Sequence, residues 1–268
     1  MTTSSPTLLV AGGRGFIGRY VCAAAERAEY AVTTLGRSPD NDIVRDLADP
    51  ETDDAWYGFD YLINLAAYSD HAATRGVDPV TVCNNSEQMV RTLGDYGPFH
   101  MRAIHVSTSE VFGDRRDLGR ARVDDRFRIE SAYAAGKGVQ ERLAVAHGFH
   151  TVRITNVWGE GQPQTKAYPR IKDAIEHGWT LADHTGGAPV QWSWVEDVAR
   201  RLVELLTEPI RQVEHLAPSR AETFARFVES TAATLGRPVP PIEARTPLAP
   251  VLGIVPTLAL QGLEGLIA

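Results

Sequence analysis

The run Thr7-Leu-Leu-Val-Ala-Gly-Gly-Arg-Gly-Phe-Ile-Gly18 decides the fold of this chain. It opens with an apolar stretch, which is typical of a short buried strand in a parallel sheet. Its spaced glycines then allow a tight turn, close approach of the backbone to a pyrophosphate, and close packing of helix on strand. A helix predicted over 19–28 follows, and its free N–H groups and dipole favour phosphate. The residues expected to contact a dinucleotide here are Gly12, Gly15, Phe16, Ile17 and Gly18.

The residues that follow the second predicted strand, 30–35, bear on the choice of dinucleotide. A carboxylate at this position would accept hydrogen bonds from the ribose hydroxyls of NAD. The chain instead has Arg37 and Ser38, and a guanidinium beside a hydroxyl suits the 2′-phosphate that a carboxylate would repel. We therefore expect NADP(H) as the preferred cofactor. NAD(H) remains the alternative, because Arg37 would serve either cofactor if it only stacked on the adenine.

Further strands carry polar and small residues to the same edge of the sheet. Asp46-Leu47 is expected beside the adenine amino group, and the strand over 61–67 ends in small residues that leave room for a cofactor. A strand over 102–106 runs into Ser107-Thr108-Ser109-Glu110. This alternation of strands and helices predicts an α/β fold with a Rossmann-type, doubly wound parallel sheet and ligands at the strand C-termini. The further cofactor-binding residues expected are Asp46, Leu47, Leu65, Ala66 and Ala67.

Tyr133 and Lys137, in the run Ser131-Ala-Tyr-Ala-Ala-Gly-Lys137, lie one helical turn apart on the same helix face. An ammonium beside a phenol stabilises the phenolate and lowers the pKa of the tyrosine. Such a phenol exchanges a proton with a substrate hydroxyl near neutral pH. Because the spacing also arises by chance, a surface pair without chemistry is the alternative. The glycine turn upstream and Thr108 on the preceding strand favour catalysis.

The composition is that of an ordinary soluble globular protein. The 268 residues are 43% hydrophobic and carry a formal net charge of −7, with no basic patch for nucleic acid. Cys22 and Cys83 fit a reducing compartment and lack metal-ligand spacing, so we expect no metal site and a cytoplasmic location. The start of the chain does not resemble a signal peptide. The apolar tail from Pro250 is expected to be a packed helix rather than a membrane span.

Seven motifs, taken together, resemble the extended short-chain dehydrogenase/reductase family, which comprises NAD-dependent nucleotide-sugar epimerases, dehydratases, reductases and decarboxylases. They occur in the family order between Leu8 and roughly Leu235. The motifs are the glycine turn, Asp46-Leu47, Asn64-Leu-Ala-Ala67, Ser107-Thr108, Tyr133/Lys137, Arg153-Ile-Thr-Asn-Val-Trp-Gly159 and Trp194-Val-Glu-Asp-Val-Ala199.

The resemblance implies roles for individual residues. Tyr133 would be the catalytic acid/base, and Lys137 would also hold the nicotinamide ribose. Thr108 would bind the reacting substrate oxygen, and Asn156 would contact the substrate near its phosphates. The resemblance also implies a dinucleotide-binding domain over 1–158 and a small substrate-binding lobe over 159–268, interleaved with the last Rossmann elements. The substrate would be a nucleotide-linked or related sugar.

The same resemblance suggests a homodimer. A helical stripe of Met89, Val90 and Leu93 lies where such proteins often pack a helix against its copy. Trp192 and Trp194, in contrast, are expected to pack within the small lobe.

Two positions depart from the family pattern. Ser109 stands where the 4,6-dehydratases have an aspartic acid, which counts against dehydration, although Ser109 is still expected to contact the substrate. Val190 stands where decarboxylases and many relatives have an arginine, so a carboxylate or diphosphate loses a partner there, for which Arg170 is the candidate replacement. Glu110 is either a base for proton abstraction or a structural carboxylate.

Three functions therefore remain open. The first is an NADP(H)-dependent reductase of a ketone such as a 4-keto-deoxysugar. The second is an epimerase or decarboxylase that recycles a tightly bound nicotinamide. The third is a cofactor-binding protein without catalysis.

Overall fold

The computed structural model of the protein describes residues 5–49, 58–68, 71–96, 102–115, 119–246 and 253–261. Its elements follow one another along the chain as β1 (Thr7–Ala11), α1 (Phe16–Arg27), β2 (Ala31–Gly36), β3 (Ile43–Val44), β4 (Tyr61–Asn64), α2 (His71–Thr74), α3 (Pro79–Tyr96), β5 (Arg102–Thr108), a 3-10 turn (Ser109–Phe112), α4 (Ala132–Ala146), β6 (His150–Ile154), β7 (Asn156–Trp158), α5 (Ala167–His177), β8 (Leu181–Asp183), β9 (Trp192–Trp194), α6 (Val195–Glu204), β10 (Val213–Pro218), α7 (Phe224–Thr234), β11 (Ile242–Ala244) and β12 (Leu258–Leu260).

The central sheet has eight parallel strands in the order β12-β10-β6-β5-β4-β1-β2-β3. The chain runs outward from β1 to β3 and then returns to build the other half from β4. The strand order therefore reverses between β1 and β4, and a crevice opens beyond the C-termini of these two strands. This arrangement confirms the predicted Rossmann-type, doubly wound α/β fold.

The inner strands are buried on both faces, which explains why β1 is apolar after Thr7. Leu8 and Val10 face α1 and α6, whereas Leu9 and Ala11 face α3 and α4. Since successive side chains of a strand point to opposite faces, the run fills two hydrophobic layers at once. The sheet is thereby held rigidly between two pairs of helices, and the loops beyond its C-terminal edge are fixed in place.

A smaller set of elements lies beyond this edge. The strands β7 and β9 form one two-stranded parallel sheet, and β8 and β11 form another. They pack with α5 and α7 around an aromatic cluster that contains Trp158, Tyr168 and Phe227. The elements β10 and β12 come later than residue 159 and nevertheless belong to the main sheet. The division into 1–158 and 159–268 stays a prediction.

The helix predicted for the C-terminal tail was wrong for the part that is described. Residues Leu258–Leu260 form β12, which pairs with the end of β10, and Ile254 is fully buried beside Phe112. In the described part of the chain, no helix combines the length and apolar character needed to cross a membrane.

The apolar stripe of α3 is part of the chain's own core. Met89, Val90 and Leu93 are at most 8% exposed and pack under the sheet with Leu62 and Phe149. These three side chains are therefore not available to a second copy. A homodimer stays a prediction, and light scattering of the purified protein would test it.

Candidate functional site

A cleft of about 730 Å³ runs along the C-terminal edge of the sheet and into the small lobe. Its walls hold all but one of the residues that the sequence predicts for a site. On the cofactor side they are Gly12, Gly15, Phe16, Ile17, Gly18, Arg37, Ser38, Asp46, Leu47, Leu65, Ala66, Ala67 and Lys137. On the reaction side they are Thr108, Glu110, Tyr133 and Asn156. The exception is Ser109.

The glycine turn forms a cradle that side chains would fill. Gly12 has φ +80°, and a Cβ there would lie 3.1 Å from the backbone of Leu65. A Cβ on Gly18 would lie 2.2 Å from the carbonyl oxygen of Gly12, so α1 meets the turn without a gap. Gly15 caps α1 with its backbone alone, and the first turn of α1 contains no acidic residue. The exposed N–H groups and the helix dipole therefore suit a pyrophosphate.

The far end of the cofactor side carries charges of both signs. The guanidinium of Arg37 lies 4.0 Å from the carboxylate of Asp46, and the two side chains are 75% and 46% exposed. A long, solvent-exposed pair of this kind is weak and holds neither partner firmly. Arg14 and Arg45 line the same end, together with Asp40, whose carboxylate accepts a hydrogen bond of 3.4 Å from Ser38 Oγ.

A buried amide orders the wall formed by β4. Asn64 Oδ1 accepts a hydrogen bond of 2.9 Å from the backbone N–H of Ala66, so its Nδ2 is the donor to His105 Nδ1 at 3.1 Å. His105 therefore carries its own proton on Nε2. Burial, followed by the nearby Lys137 ammonium, lowers the pKa of His105 well below its usual value, so the imidazole is neutral.

The catalytic pair of the sequence prediction begins α4. Ser131 caps this helix by accepting a hydrogen bond of 3.0 Å from the backbone N–H of Ala134. Lys137 is 5% exposed, and its ammonium donates to Val106 O at 2.7 Å and to Gln140 Oε1 at 3.2 Å. Burial lowers the pKa of Lys137 to about 8, although Glu141 raises it. The cleft therefore has a lysine that titrates near physiological pH.

The strand β5 brings its last residue to the same wall, because the Lys137 ammonium bonds to Val106, two residues before Thr108. Thr108 is 9% exposed and caps the 3-10 turn, since its Oγ1 accepts from the backbone N–H of Glu110 at 3.2 Å. Glu110 lines the cleft. Ser109 is 1% exposed and does not line the cleft, so the structure does not bring this predicted substrate residue to the wall.

Behind this wall, a buried polar network fixes β5 and α4 to each other. Ser107 Oγ donates to Glu141 at 2.7 Å, and Arg153 donates to both oxygens of the same carboxylate. Arg153 also donates to His215 Nε2 at 2.9 Å, which leaves the proton of this histidine on Nδ1 to be donated to Val255 O. Burial and the neighbouring guanidinium lower the pKa of His215 to about 4.

The small-lobe end of the cleft contains residues that sequence analysis missed. Lys166 precedes α5 at the rim, and Gln162 and Tyr168 line the wall beside it. Trp192 was expected only to pack, but it both stacks on Phe227, at 4.3 Å between ring centroids, and lines the cleft. No motif in the sequence analysis marked this surface, because the helix α5 that follows Lys166 was not predicted.

Val190 is turned away from the cleft. It is 5% exposed and forms a backbone bridge with Glu222. Asn156, in contrast, lines the cleft, with its side-chain amide 3.4 Å from the carbonyl oxygen of Gln191.

Comparison with known proteins matches residues 8–216 to the model of the NAD dependent epimerase/dehydratase family. A probable dTDP-glucose 4,6-dehydratase of Sinorhizobium fredii is 27% identical over 237 residues, which cover 75% of this chain and 68% of that protein.

Solved structures share the fold. A UDP-glucose 4-epimerase of Thermotoga maritima, solved with UDP-glucose, superposes with a TM-score of 0.77 at 18% identity and covers 94% of this chain and 90% of its own. MoeE5, solved with UDP-glucuronic acid and NAD, has a TM-score of 0.76 at 22% identity and covers 95% and 90%.

Proposed function

This chain belongs to the NAD-dependent epimerase/dehydratase family, and we propose that it is an NADP(H)-dependent oxidoreductase that reduces a keto group of a nucleotide-linked sugar, such as a 4-keto-deoxysugar. The observation that carries the proposal is the placement of Tyr133, Lys137 and Thr108 on the walls of one cleft that also contains the glycine cradle. The residues of this cradle fit a dinucleotide, because Gly12, Gly15 and Gly18 carry no side chains and the first turn of α1 carries no negative charge where a pyrophosphate would lie.

The residues divide the chemistry as follows. When bound, the reduced nicotinamide supplies a hydride. Thr108 donates a hydrogen bond to the ketone oxygen, and Tyr133 donates the proton that turns this oxygen into a hydroxyl. Lys137 stabilises the phenolate that is left on Tyr133, since its ammonium is one helical turn away. Because Lys137 is buried, its charge is weakly screened, which strengthens this electrostatic effect.

Reduction is favoured over dehydration by the burial of Ser109. Elimination of water needs an acid for the leaving hydroxyl and a base for the carbon-bound proton. Glu110 is the one carboxylate that the 3-10 turn brings to the cleft, and position 109 contributes no second group. A reduction needs only one acid/base group, and Tyr133 provides it.

A nucleotide diphosphate would lie at the small-lobe end. Val190 provides no cation there, but Lys166 stands at the N-terminus of α5, where backbone N–H groups and the helix dipole also favour phosphate. Asn156 would add a side-chain amide. These groups support a diphospho-sugar in spite of the missing arginine.

NADP(H) is preferred in this proposal because of Arg37. Its weak pair with Asp46 leaves the guanidinium able to turn to a 2′-phosphate, and Arg14 and Arg45 add positive charge at the same end. Asp40 and Asp46 oppose this preference, so NAD(H) is the second cofactor of the proposal.

An epimerase or decarboxylase with a recycled cofactor is the second candidate. It is favoured by Glu110, which lines the cleft and supplies a carboxylate that could abstract a proton next to a transient ketone. The state of the purified protein separates the two candidates. A nicotinamide that stays bound through gel filtration favours recycling, and a site that takes up and releases NADPH favours reduction.

The decisive test is Tyr133→Phe assayed with NADPH and a panel of 4-keto nucleotide sugars. We expect turnover to fall by about 10²-fold or more, with cofactor affinity nearly unchanged, because only the transferable proton is lost. Unchanged turnover in the variant would refute the assigned chemistry. Tight dinucleotide binding by a wild-type protein that turns over neither ketones nor nucleotide sugars would support a non-catalytic protein instead.

A further inference from the structure

Gln140 lies on α4 between the proposed catalytic lysine and the wall of the cleft, and it is completely buried. Its Oε1 accepts a hydrogen bond of 3.2 Å from Lys137 Nζ. Its Nε2 donates to the backbone carbonyl of Ala66 at 3.2 Å and contacts Met89 Sδ at 3.6 Å. One side-chain amide therefore joins the lysine to the segment after β4 that lines the cofactor side.

The hydrogen bonds of Lys137 are few and specific. A lysine ammonium has three N–H donors. Val106 O and Gln140 Oε1 take two of them, and both acceptors are neutral. No third acceptor lies within hydrogen-bond distance in the described part of the chain, so one N–H is left for a ligand in the cleft, and its direction is set by the two acceptors that hold the others.

We propose that Gln140 is a positioning residue, which holds the Lys137 ammonium against the Ala66 segment so that the remaining N–H is directed at the cofactor ribose. This proposal rests on the proposed function of Lys137. It differs from that function in assigning the placement and the charge state of the lysine to a neutral amide one turn further along α4.

The charge state of Lys137 depends on Gln140, because the stability of a buried ammonium depends strongly on each of its hydrogen-bond acceptors. Loss of the Gln140 acceptor would destabilise the ammonium, whereas a carboxylate in its place would stabilise it. Gln140→Met and Gln140→Glu are therefore expected to move the pKa of Lys137 in opposite directions from its value of about 8. Among the described residues, the other ionisable groups that neighbour Lys137 or its partner Glu141 are His105 on β5, Arg153 on β6, Glu110 on the 3-10 turn, and Tyr133 and Glu141 on α4.

The chain is well suited to a direct measurement, because it contains only three lysines, Lys137, Lys166 and Lys172. Labelling of the lysine ε-carbon with ¹³C gives three NMR signals, and the one that is missing in Lys137→Met belongs to Lys137. We expect its titration midpoint to fall by about one pH unit in Gln140→Met and to rise by about one unit in Gln140→Glu. Lys166 and Lys172 serve as internal references.

A second measurement tests the positioning itself. The dissociation constant for NADPH at pH 7 is expected to rise about tenfold in Gln140→Met. Gln88→Met is the matched control, because Gln88 donates only to Thr92 within α3 and should leave binding unchanged. If Gln140→Met does not fold, Gln140→Glu, which keeps the shape of the side chain, decides the titration.

The outcomes separate the two proposals. Unchanged Lys137 titration in both Gln140 variants, with wild-type NADPH binding intact, would overturn the role of Gln140 and leave the proposed function standing. Failure of the wild-type protein to bind either NADPH or NADH would overturn both.

Discussion

Arg153 holds the carboxylate of Glu141 through hydrogen bonds to both of its oxygens, and the two side chains are 4% and 3% exposed. Glu141 lies one helical turn beyond Lys137, and the strand that carries Arg153 is next to the strand of Thr108. This pair therefore fixes α4, which carries Tyr133 and Lys137, to the sheet from behind the cleft.

The first prediction concerns this buried pair. Glu141→Gln is expected to destabilise the protein by about 3–5 kcal/mol, because the guanidinium of Arg153 stays buried without a counter-charge. Urea denaturation at pH 7.5 measures the change. Glu204→Gln is the matched control, since Glu204 pairs with Arg200 at 2.7 Å in a solvent-exposed position and should cost less than about 1 kcal/mol. Equal losses in the two variants would contradict the structural role of the buried pair.

The second prediction concerns acid stability and His215. The pKa of this histidine is lowered to about 4 in the folded protein, so the unfolded chain binds more protons between about pH 4 and 6.5. The contribution of His215 is therefore complete above about pH 6.5 and is lost as the pH falls towards 4. The free energy of unfolding that is lost through His215 is roughly 3 kcal/mol. Urea denaturation at a series of pH values from 4 to 8 follows this slope.

His215→Gln separates this share from the rest. A glutamine can accept from Arg153 and donate to Val255 as the histidine does, but it does not titrate. We expect the variant to lose stability less steeply with acid than the wild-type protein. A slope should remain, because burial also lowers the pKa values of His105 and His150. If the slope is unchanged in the variant, His215 is protonated at the same pH in the folded and the unfolded protein.

Local sequence patterns were sufficient to predict the sheet and the walls of the cleft. The conformation of the apolar run of β1 and of the glycines after it is set by interactions within a dozen residues. The motif residues follow the ends of parallel strands, and these ends meet at one edge of the sheet. Contacts between distant segments could not be predicted in this way. Gln140 bonds to Ala66, 74 residues away, and is recognisable only afterwards by its spacing of three from Lys137 on one helix face.

The prediction of a helix in the C-terminal tail was wrong for a related reason. Leu258–Leu260 is too short to form a structure by itself, and it becomes a strand because β10 has a free edge beside it. Thr257 and Val255 then bond to His215. Such tertiary pairing overrides local preference in short apolar segments, so their periodicity does not distinguish a strand from a helix.

The third prediction concerns Gly18. Gly18→Ala would place a Cβ 2.2 Å from the carbonyl oxygen of Gly12, and neither the helix backbone that carries this Cβ nor the Gly12 backbone can move without opening the cradle. We expect loss of detectable NADPH and NADH binding, measured by nicotinamide fluorescence. Gly138→Ala is the matched control in a helix, because its Cβ would meet only side-chain atoms at 3.5 Å or more. That variant should bind normally and gain up to about 1 kcal/mol of stability. Normal cofactor binding by Gly18→Ala would place the pyrophosphate elsewhere.

The last prediction decides between the two cofactors. Arg37 is expected to face the 2′-phosphate, and the energy of a charge-assisted hydrogen bond amounts to about one to two orders of magnitude in affinity. Arg37→Ala should therefore raise the dissociation constant of NADPH about 10- to 100-fold and leave that of NADH unchanged. Because the pair of Arg37 with Asp46 is long and exposed, its loss should not affect folding, which circular dichroism can check. Arg27→Ala is the control for long-range electrostatics. It removes the same charge from an exposed site at the C-terminal end of α1, away from the glycine turn. If both dinucleotides lose affinity equally in Arg37→Ala, the guanidinium stacks on the adenine that they share, and the preference for NADP(H) is wrong. If only NADPH loses affinity, Arg37 directly after β2, where an NAD site has a carboxylate, accounts for the choice of cofactor.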